Sequence, residues 1–430
     1  MSLTAVLALT VFIASYVLIA TEWVHRVVAA LGGAAAMVIL GAVRGEQMFF
    51  SAETGIDWNV IFLLFGMMVI VALLRRTGVF EFLAIWAAQR SGARPFRMMV
   101  LLVVITALAS ALLDNVTTVL LIAPVTLLVC ERLRLPPVPF LLAEAMASNI
   151  GGTATLIGDP PNIIIASRAQ LDFNAFLVHL APIVVVLVAV FLGLCWLLWG
   201  RTLRYDAERA SRLLKLRGRD AITEPRLLLK LGVIVVAVLA GFVTHPLHHI
   251  EPSLIALLGA GACILVSRVP ARAYLEEVEW ETLVFFAGLF VMVGALVHQG
   301  IIGELAAFLK SVVAGQALAA TQLVLLGSAV LSGLVDNIPY VATMSPLVYD
   351  LVGPAPGLAP AQQSMWWALA LGADLGGNAT AIGASANVVI LGVAKRNGHP
   401  ISFWTFTKYG LIVTVVTVAL CVPYLWLRYF

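Results

Sequence analysis

Charge is what this chain has least of: Lys, Arg, Asp and Glu make up 11% of its 430 residues, against 62% hydrophobic. Soluble domains carry about 25% charged residues, so a water-facing exterior is excluded and the mean hydropathy of +1.03 places the chain in a bilayer. The ~10-residue alternating segments of a transmembrane barrel are missing. Instead, apolar runs near the ~20 residues needed for a helix to cross ~30 Å of hydrocarbon recur from Leu3 to Leu427. Cysteine is sparse. Cys130, Cys195, Cys263 and Cys421 show no metal-ligand spacing and read as inert thiols, so neither a metal site nor a cofactor is expected. No Gly-x-x-x-x-Gly-Lys-Ser/Thr string occurs, so the chain itself is not expected to use ATP. The first apolar run lacks a basic stretch before it and a cleavage site before Thr21-Glu22-Trp23, so it is expected to be a retained helix.

What charge there is has a pattern. Between Arg201 and Lys230 nine Lys or Arg face four acids in a polar stretch that divides the chain nearly in half. Basic loops favour the cytoplasm. Spans near 3–20, 27–43, 58–74, 142–168 and 173–200, with 97–131 as a same-side hairpin, then put Met1 outside, and five further crossings put Phe430 outside as well. The expected location is the cell membrane, multi-pass, with both termini outside.

The chain also repeats itself. Asp57-Trp58, Gly66 and Gly78 recur as Glu279-Trp280, Gly288 and Gly300, each shifted by 222 positions. The same shift carries Ser110, Asp114, Asn115 and Pro124 onto Ser332, Asp336, Asn337 and Pro346. With three more residues of offset, the string from Ile150 to Gly158 maps onto Leu375 to Gly383, and Asn162 onto Asn387. An odd number of crossings per copy would insert the second copy upside down, the plan of many secondary transporters. The expected fold is therefore an all-α polytopic membrane protein of two inverted repeats. Each has five transmembrane helices, the fourth broken mid-membrane, plus a re-entrant hairpin. Residues 1–200 form the first repeat, 201–230 a cytoplasmic linker and 231–430 the second repeat. Framework helices fall at 1–95 and 231–312, transport elements at 97–200 and 317–427.

Two kinds of interruption carry the chemistry. Segment 98–113, about 16 residues, is too short to cross before Asp114-Asn115 turns the chain back, and 319–335 with 338–350 repeats this around Asp336-Asn337-Ile338-Pro339. The second pair, 143–167 and 369–394, places Gly151-Gly152-Thr153 and Gly376-Gly377-Asn378 before Gly158-Asp159-Pro160-Pro161-Asn162 and Gly383-Ala384-Ser385-Ala386-Asn387. Proline and glycine should unwind these helices within the membrane, where backbone carbonyls and side-chain amides can bind an ion or a polar solute. Buried carboxylates cost ~2.5–3.5 kcal/mol on insertion scales, so Asp114, Asp159, Asp336 and Asp374 each need a reason. Proton or cation coupling is one, expected foremost of Asp114 and Asp336; capping a helix N-terminus is the other. Asn115, Asn149, Asn162, Asn337, Asn378, Asn387 and Ser385 complete the expected substrate or ion site. Glu144 reads as a snorkelling or paired acid, and His245, His248 and His249 as an outer loop rather than a metal cluster. His298 reads as a span boundary. Val79–Arg90 and Ile301–Lys310 correspond and should lie along the interfaces. No Lys or Arg is expected beside the site.

The strings Leu113-Asp114-Asn115-Val116-Thr117-Thr118, Asn149 to Asn162, Asp336 to Pro339 and Leu375 to Asn387 resemble the ion transporter superfamily. Within it they resemble the arsenical-pump permease branch, which includes arsenite/antimonite permeases and the melanosomal P protein. That resemblance implies an elevator-type transporter, often dimeric, and leaves room for a soluble ATPase subunit. Sodium-coupled carboxylate members carry Ser-Asn-Thr at the hairpin tips, where this chain has Asp114-Asn115-Val116 and Asp336-Asn337-Ile338. The leading expectation is proton-coupled efflux of arsenite or antimonite, an uncharged polyhydroxy solute. The alternatives are sodium/proton antiport and sodium-coupled anion or carboxylate transport. The partners are then a small inorganic solute, a proton or sodium ion and the lipid bilayer, with no nucleic acid. An intramembrane aspartyl protease using Gly158-Asp159 would leave the repeat unexplained, and a channel would not need two opposed copies. No catalytic residue is expected.

Overall fold

The computed structural model describes residues 2–21, 23–51, 54–201, 203, 221–313 and 316–430. Most of the expected 201–230 linker, and Met1, lie outside these residues. The described chain is helical throughout. The first half runs α1 (Leu3–Thr21), α2 (Arg26–Ile39), α3 (Gly45–Phe50), α4 (Trp58–Arg75), α5 (Val79–Arg90), α6 (Pro95–Leu112), α7 (Asn115–Leu133), α8 (Val138–Gly152), α9 (Pro160–Ala169), α10 (Phe173–His179) and α11 (Ala181–Trp199). The second runs α12 (Pro225–His248), α13 (Pro252–Ser267), α14 (Ala271–Leu275), α15 (Trp280–His298), α16 (Ile301–Val313), α17 (Ala317–Leu334), α18 (Asn337–Val352), α19 (Pro360–Gly376), α20 (Ser385–Arg396) and α21 (Phe403–Tyr429).

Nine of the described helices are long and apolar enough to cross a membrane: α1, α4, α6, α7, α11, α12, α15, α17 and α21. Hairpin legs α6, α7 and α17 are among them. With 18 and 19 residues in α6 and α7, the first hairpin is longer than its sequence suggested. At ~1.5 Å per residue either leg could span the hydrocarbon. Length therefore does not distinguish a re-entrant hairpin from a pair of crossing helices. The histidines also differ from expectation, since His245 and His248 occupy the last turn of α12 around Pro246 rather than a loop. The apolar run before them continues the helix to this point, and His248 Nε2 lies 3.1 Å from the Gly241 carbonyl.

Packing follows the duplication. Helix α4 packs on α13 and α15 on α2, with Gly66 seated against Ala256 and Gly288 against Ala30. Helix α6 packs on α8 and α17 on α19. Here a Cβ at Gly151 would run into the Ala107 backbone, and one at Gly376 into that of Ala329, the equivalent residue. Small residues let helix backbones touch where lipid supplies no hydrophobic drive. The halves are also interlocked, because α9 packs on α18 and α20 on α7.

Candidate functional site

Each hairpin turns on an aspartate that caps the following helix. Asp114 Oδ1 accepts from the Thr117 amide at 2.7 Å and Oδ2 from the Thr117 hydroxyl at 2.5 Å. Asp336 Oδ1 accepts from the Ile338 amide at 3.1 Å and Oδ2 from the Ser385 hydroxyl at 2.7 Å. Carboxylates are favoured at helix N-termini because the first amides are otherwise unpaired. The second tip also has a cation that sequence reading missed. Arg26, at the start of α2, donates through Nη1 to Ser385 Oγ at 2.9 Å and lies 3.9 Å from Asp336 Oδ2, with its guanidinium over the Phe285 ring at 5.6 Å. The expectation that no Lys or Arg stands beside the site is corrected. Nothing near Arg26 in sequence points to a partner more than three hundred residues away.

The two helix breaks, 153–159 and 377–384, meet these tips inside the bundle. In the first, Pro160 and Pro161 fall in the opening turn of α9, where the missing amides cost nothing. Asp159 stands just before them and is fully buried. Asn115 donates to Asp159 Oδ2 at 3.0 Å, and Asn337 lies 3.3 Å from the same oxygen. Both hairpins thus converge on one carboxylate. Asn115 also reaches Asn149 Oδ1 at 3.1 Å, and Asn149 donates onward to Asn378 Oδ1 at 2.9 Å and Asn387 Oδ1 at 3.1 Å. The result is a continuous buried amide network joining both tips to both breaks.

Asn162 and Asn387 hold the breaks closed in the same way. Asn162 donates to the carbonyls of Gly152 at 3.4 Å and Thr155 at 3.1 Å; Asn387 donates to Gly377 at 2.8 Å and Thr380 at 3.0 Å. The Thr155 hydroxyl then ties the loop to Ala111 O at 2.5 Å, and that of Thr380 to Gly333 O at 2.6 Å. The Gly151 and Gly376 carbonyls accept from Ala154 and Ala379. These four glycine carbonyls are therefore engaged within the loops. Asn162→Ala or Asn387→Ala should each cost about 1–3 kcal/mol, because two buried carbonyls lose their donor; urea unfolding in detergent measures this.

Two acids remain. Glu144 is buried between α7 and α8, with Thr126 donating to its Oε1 and no partner on Oε2. It is neither snorkelling nor ion-paired, which corrects the sequence reading. Asp374, at the end of α19, is fully buried and neither oxygen has a hydrogen-bond partner. All four cysteines are buried and free, and none contributes to the network.

Two cavities occupy equivalent places in the repeats. One of ≈ 760 Å³ is lined by Arg26, Glu279, Trp280, Leu120 and Val389 and reaches Asp336 and Ser385 at the second tip. Its counterpart of ≈ 610 Å³, lined by Asp57, Trp58, Ala342 and Ile164, includes no tip residue. There Ser167 on α9 donates a short hydrogen bond to Asp57, the cap of α4. Among the described residues no group of three or more His, Cys, Asp or Glu could hold a metal ion.

Paired hairpin tips, interlocked with two broken helices around a buried polar network, define a membrane transporter. Residues 16–372 match the citrate transporter family, CitMHS, and the chain belongs to that family within the ion transporter superfamily. It is 56% identical over 426 residues to an uncharacterized transporter of Mycobacterium bovis, covering 99% of each chain. It is 54% identical over 425 residues to a 46 kDa membrane protein of Mycobacterium leprae, again covering 99% of each. The P protein of Sus scrofa is 37% identical over 488 residues; 95% of this chain matches 58% of that longer protein. Among solved structures the fold resembles the YdaH transporter of Alcanivorax borkumensis. The TM-score is 0.59 at 15% identity, over 90% of this chain and 86% of that one. MtrF of Neisseria gonorrhoeae, from a class described as antimetabolite efflux pumps, gives 0.54 at 14% identity over 96% and 97%.

Proposed function

We propose that this chain is a proton-coupled secondary transporter. In this reading it exports a small uncharged polyhydroxy solute, arsenous or antimonous acid, by an elevator movement of the hairpins and broken helices against α1–α5 and α12–α16. The observation that carries this reading is the composition of the tips and breaks: Asp114, Asp159, Asp336 and Asp374 with the asparagine network, against Arg26 as the cation found beside them among the described residues. A polyanion would meet net repulsion there. A neutral triol can give and take hydrogen bonds with the amides, and the buried thiols, far from the tips, need not ligate arsenic. Inverted insertion of the repeats would place the two equivalent cavities on opposite faces. The one that reaches Asp336 would then give access to the second tip from its face.

Arg26 and the family description support a second reading, citrate or another carboxylate held by the guanidinium. Purified protein in liposomes separates the two. With an imposed pH gradient, arsenite is expected to accumulate and citrate is not. The expected accumulation is up to about tenfold per pH unit for each coupled proton. Citrate accumulation without arsenite movement would establish the second reading, and dependence on a sodium gradient alone would remove the proton.

A further inference from the structure

The two hairpin caps are built differently, and the duplication shows where. The offset of 222 carries Thr117, which gives Asp114 both its amide and its hydroxyl, onto Pro339. Proline has no amide hydrogen and no hydroxyl to offer. Asp336 keeps one backbone partner, the Ile338 amide on Oδ1, while its Oδ2 finds a hydrogen outside the hairpin, from Ser385 at 2.7 Å. That serine has no equivalent in the first copy, where the offset of 225 places Pro160. Asp114 is thus satisfied within its own hairpin, whereas Asp336 is tied to the second break.

Arg26 extends this tie to a third element. Its Nη1 donates to Ser385 Oγ at 2.9 Å and stands 3.9 Å from Asp336 Oδ2, so guanidinium, hydroxyl and carboxylate form a closed triangle. The guanidinium lies over the ring of Phe285, a buried residue of α15, the helix on which α2 packs. Arg26 is therefore held on the α2–α15 side and reaches across to the starts of α18 and α20. The other copy is built otherwise. Gly66 against Ala256 and Gly288 against Ala30 align α2 with α13, which sets Pro252 where Arg26 stands. There the corresponding elements meet through the hydrogen bond from Ser167 of α9 to Asp57. Ser167 corresponds to Gly392 and Asp57 to Glu279, which accepts from Thr282 on Oε2 at 3.0 Å and leaves Oε1 unpartnered.

We propose that Arg26 is a positioning residue, a charged latch that holds the second hairpin tip and the second break to α2 and α15. This deepens the transport reading above and rests on it for the movement, in which α2 and α15 belong to the stationary part and α18 and α20 to the moving one; the contact itself does not. Before these elements can separate, the guanidinium must exchange Ser385 and Asp336 for water, which charge-assisted hydrogen bonds resist. Arg26 is 31% exposed, so water recovers part of the loss, and removing the contact should shift the population by about tenfold.

The decisive variant is Arg26→Gln, which keeps a long polar side chain at the start of α2 and should fold normally. Spin labels on cysteines introduced at Val17 of α1 and Val330 of α17, both exposed, report the separation of the two sides by electron paramagnetic resonance; the four native cysteines are buried. Wild-type protein in liposomes should give one main distance. Arg26→Gln should raise the population at other distances about tenfold, and Arg26→Lys, which keeps the charge, should raise it less. In an Asp336→Asn, Ser385→Ala background the effect of Arg26→Gln should shrink to about threefold or less, because the latch is already gone. A distance distribution unchanged by Arg26→Gln would overturn the proposal. So would an equal effect in both backgrounds, which would mark Arg26 as a structural residue of α2 alone. If wild-type protein moves neither arsenite nor citrate, the transport reading fails while the distances still decide whether Arg26 holds the tip.

Discussion

Asp159→Ala should abolish transport, by about 100-fold or more, while leaving a protein that still inserts and purifies as a single species. Its carboxylate is the shared acceptor of Asn115 and Asn337, so its removal strands one buried amide on each hairpin. Hydrogen bonds to a charged group contribute about 1.5–3 kcal/mol each, and ~2.7 kcal/mol is a hundredfold in rate. Asp159→Asn keeps an oxygen able to accept one of the two amides and should recover part of the activity. Initial rates of solute uptake into liposomes, normalised to inserted protein, provide the measurement. Activity of Asp159→Ala within about threefold of wild type, under 1 kcal/mol, would mean that the tips are held by something else.

Gly151→Val should have the largest effect on stability, about 3 kcal/mol or more, with Gly376→Val close behind. The added side chain meets backbone atoms of Ala107 or Ala329, which cannot swing aside as the end of a flexible side chain could. Moving α6 away from α8 to make room would also carry the Asp114 tip away from Asp159. Transport should therefore fall even in the fraction that folds. Gly193→Ala on α11 is the control, because a Cβ there meets nothing within 4 Å and alanine favours the helix. Thermal unfolding in detergent should rank wild type and Gly193→Ala together, with both valine variants well below. A melting point for Gly151→Val equal to that of wild type would show that α6 and α8 can separate freely.

Several features of this site were legible from local rules. The repeat offsets of 222 and 225 anticipated that Asn162 and Asn387 would behave alike, and their hydrogen bonds to Gly152, Thr155, Gly377 and Thr380 are equivalent pairs. Asp114 and Asp336 were recognisable as both caps and coupling candidates, and their hydrogen bonds are those of caps. Glu144 was misjudged because helix position alone does not reveal what the neighbouring α7 presents, here the Thr126 hydroxyl.

By itself the sequence determined what depends on composition and on short-range pattern. The scarcity of charge placed the chain in a membrane, and apolar run length made it helical. Gly-Gly, Pro-Pro and Asp-Asn marked where helices stop, since those residues restrict or free the backbone locally. Only the tertiary structure decided which interruptions meet. It brought Asn115 and Asn337 to Asp159, sent Arg26 to the second hairpin tip and left Asp374 without a donor. A hydrogen bond between residues more than two hundred positions apart leaves no trace in local pattern; it depends on how close two helix backbones approach, which small residues such as Gly151 and Gly376 permit but do not direct.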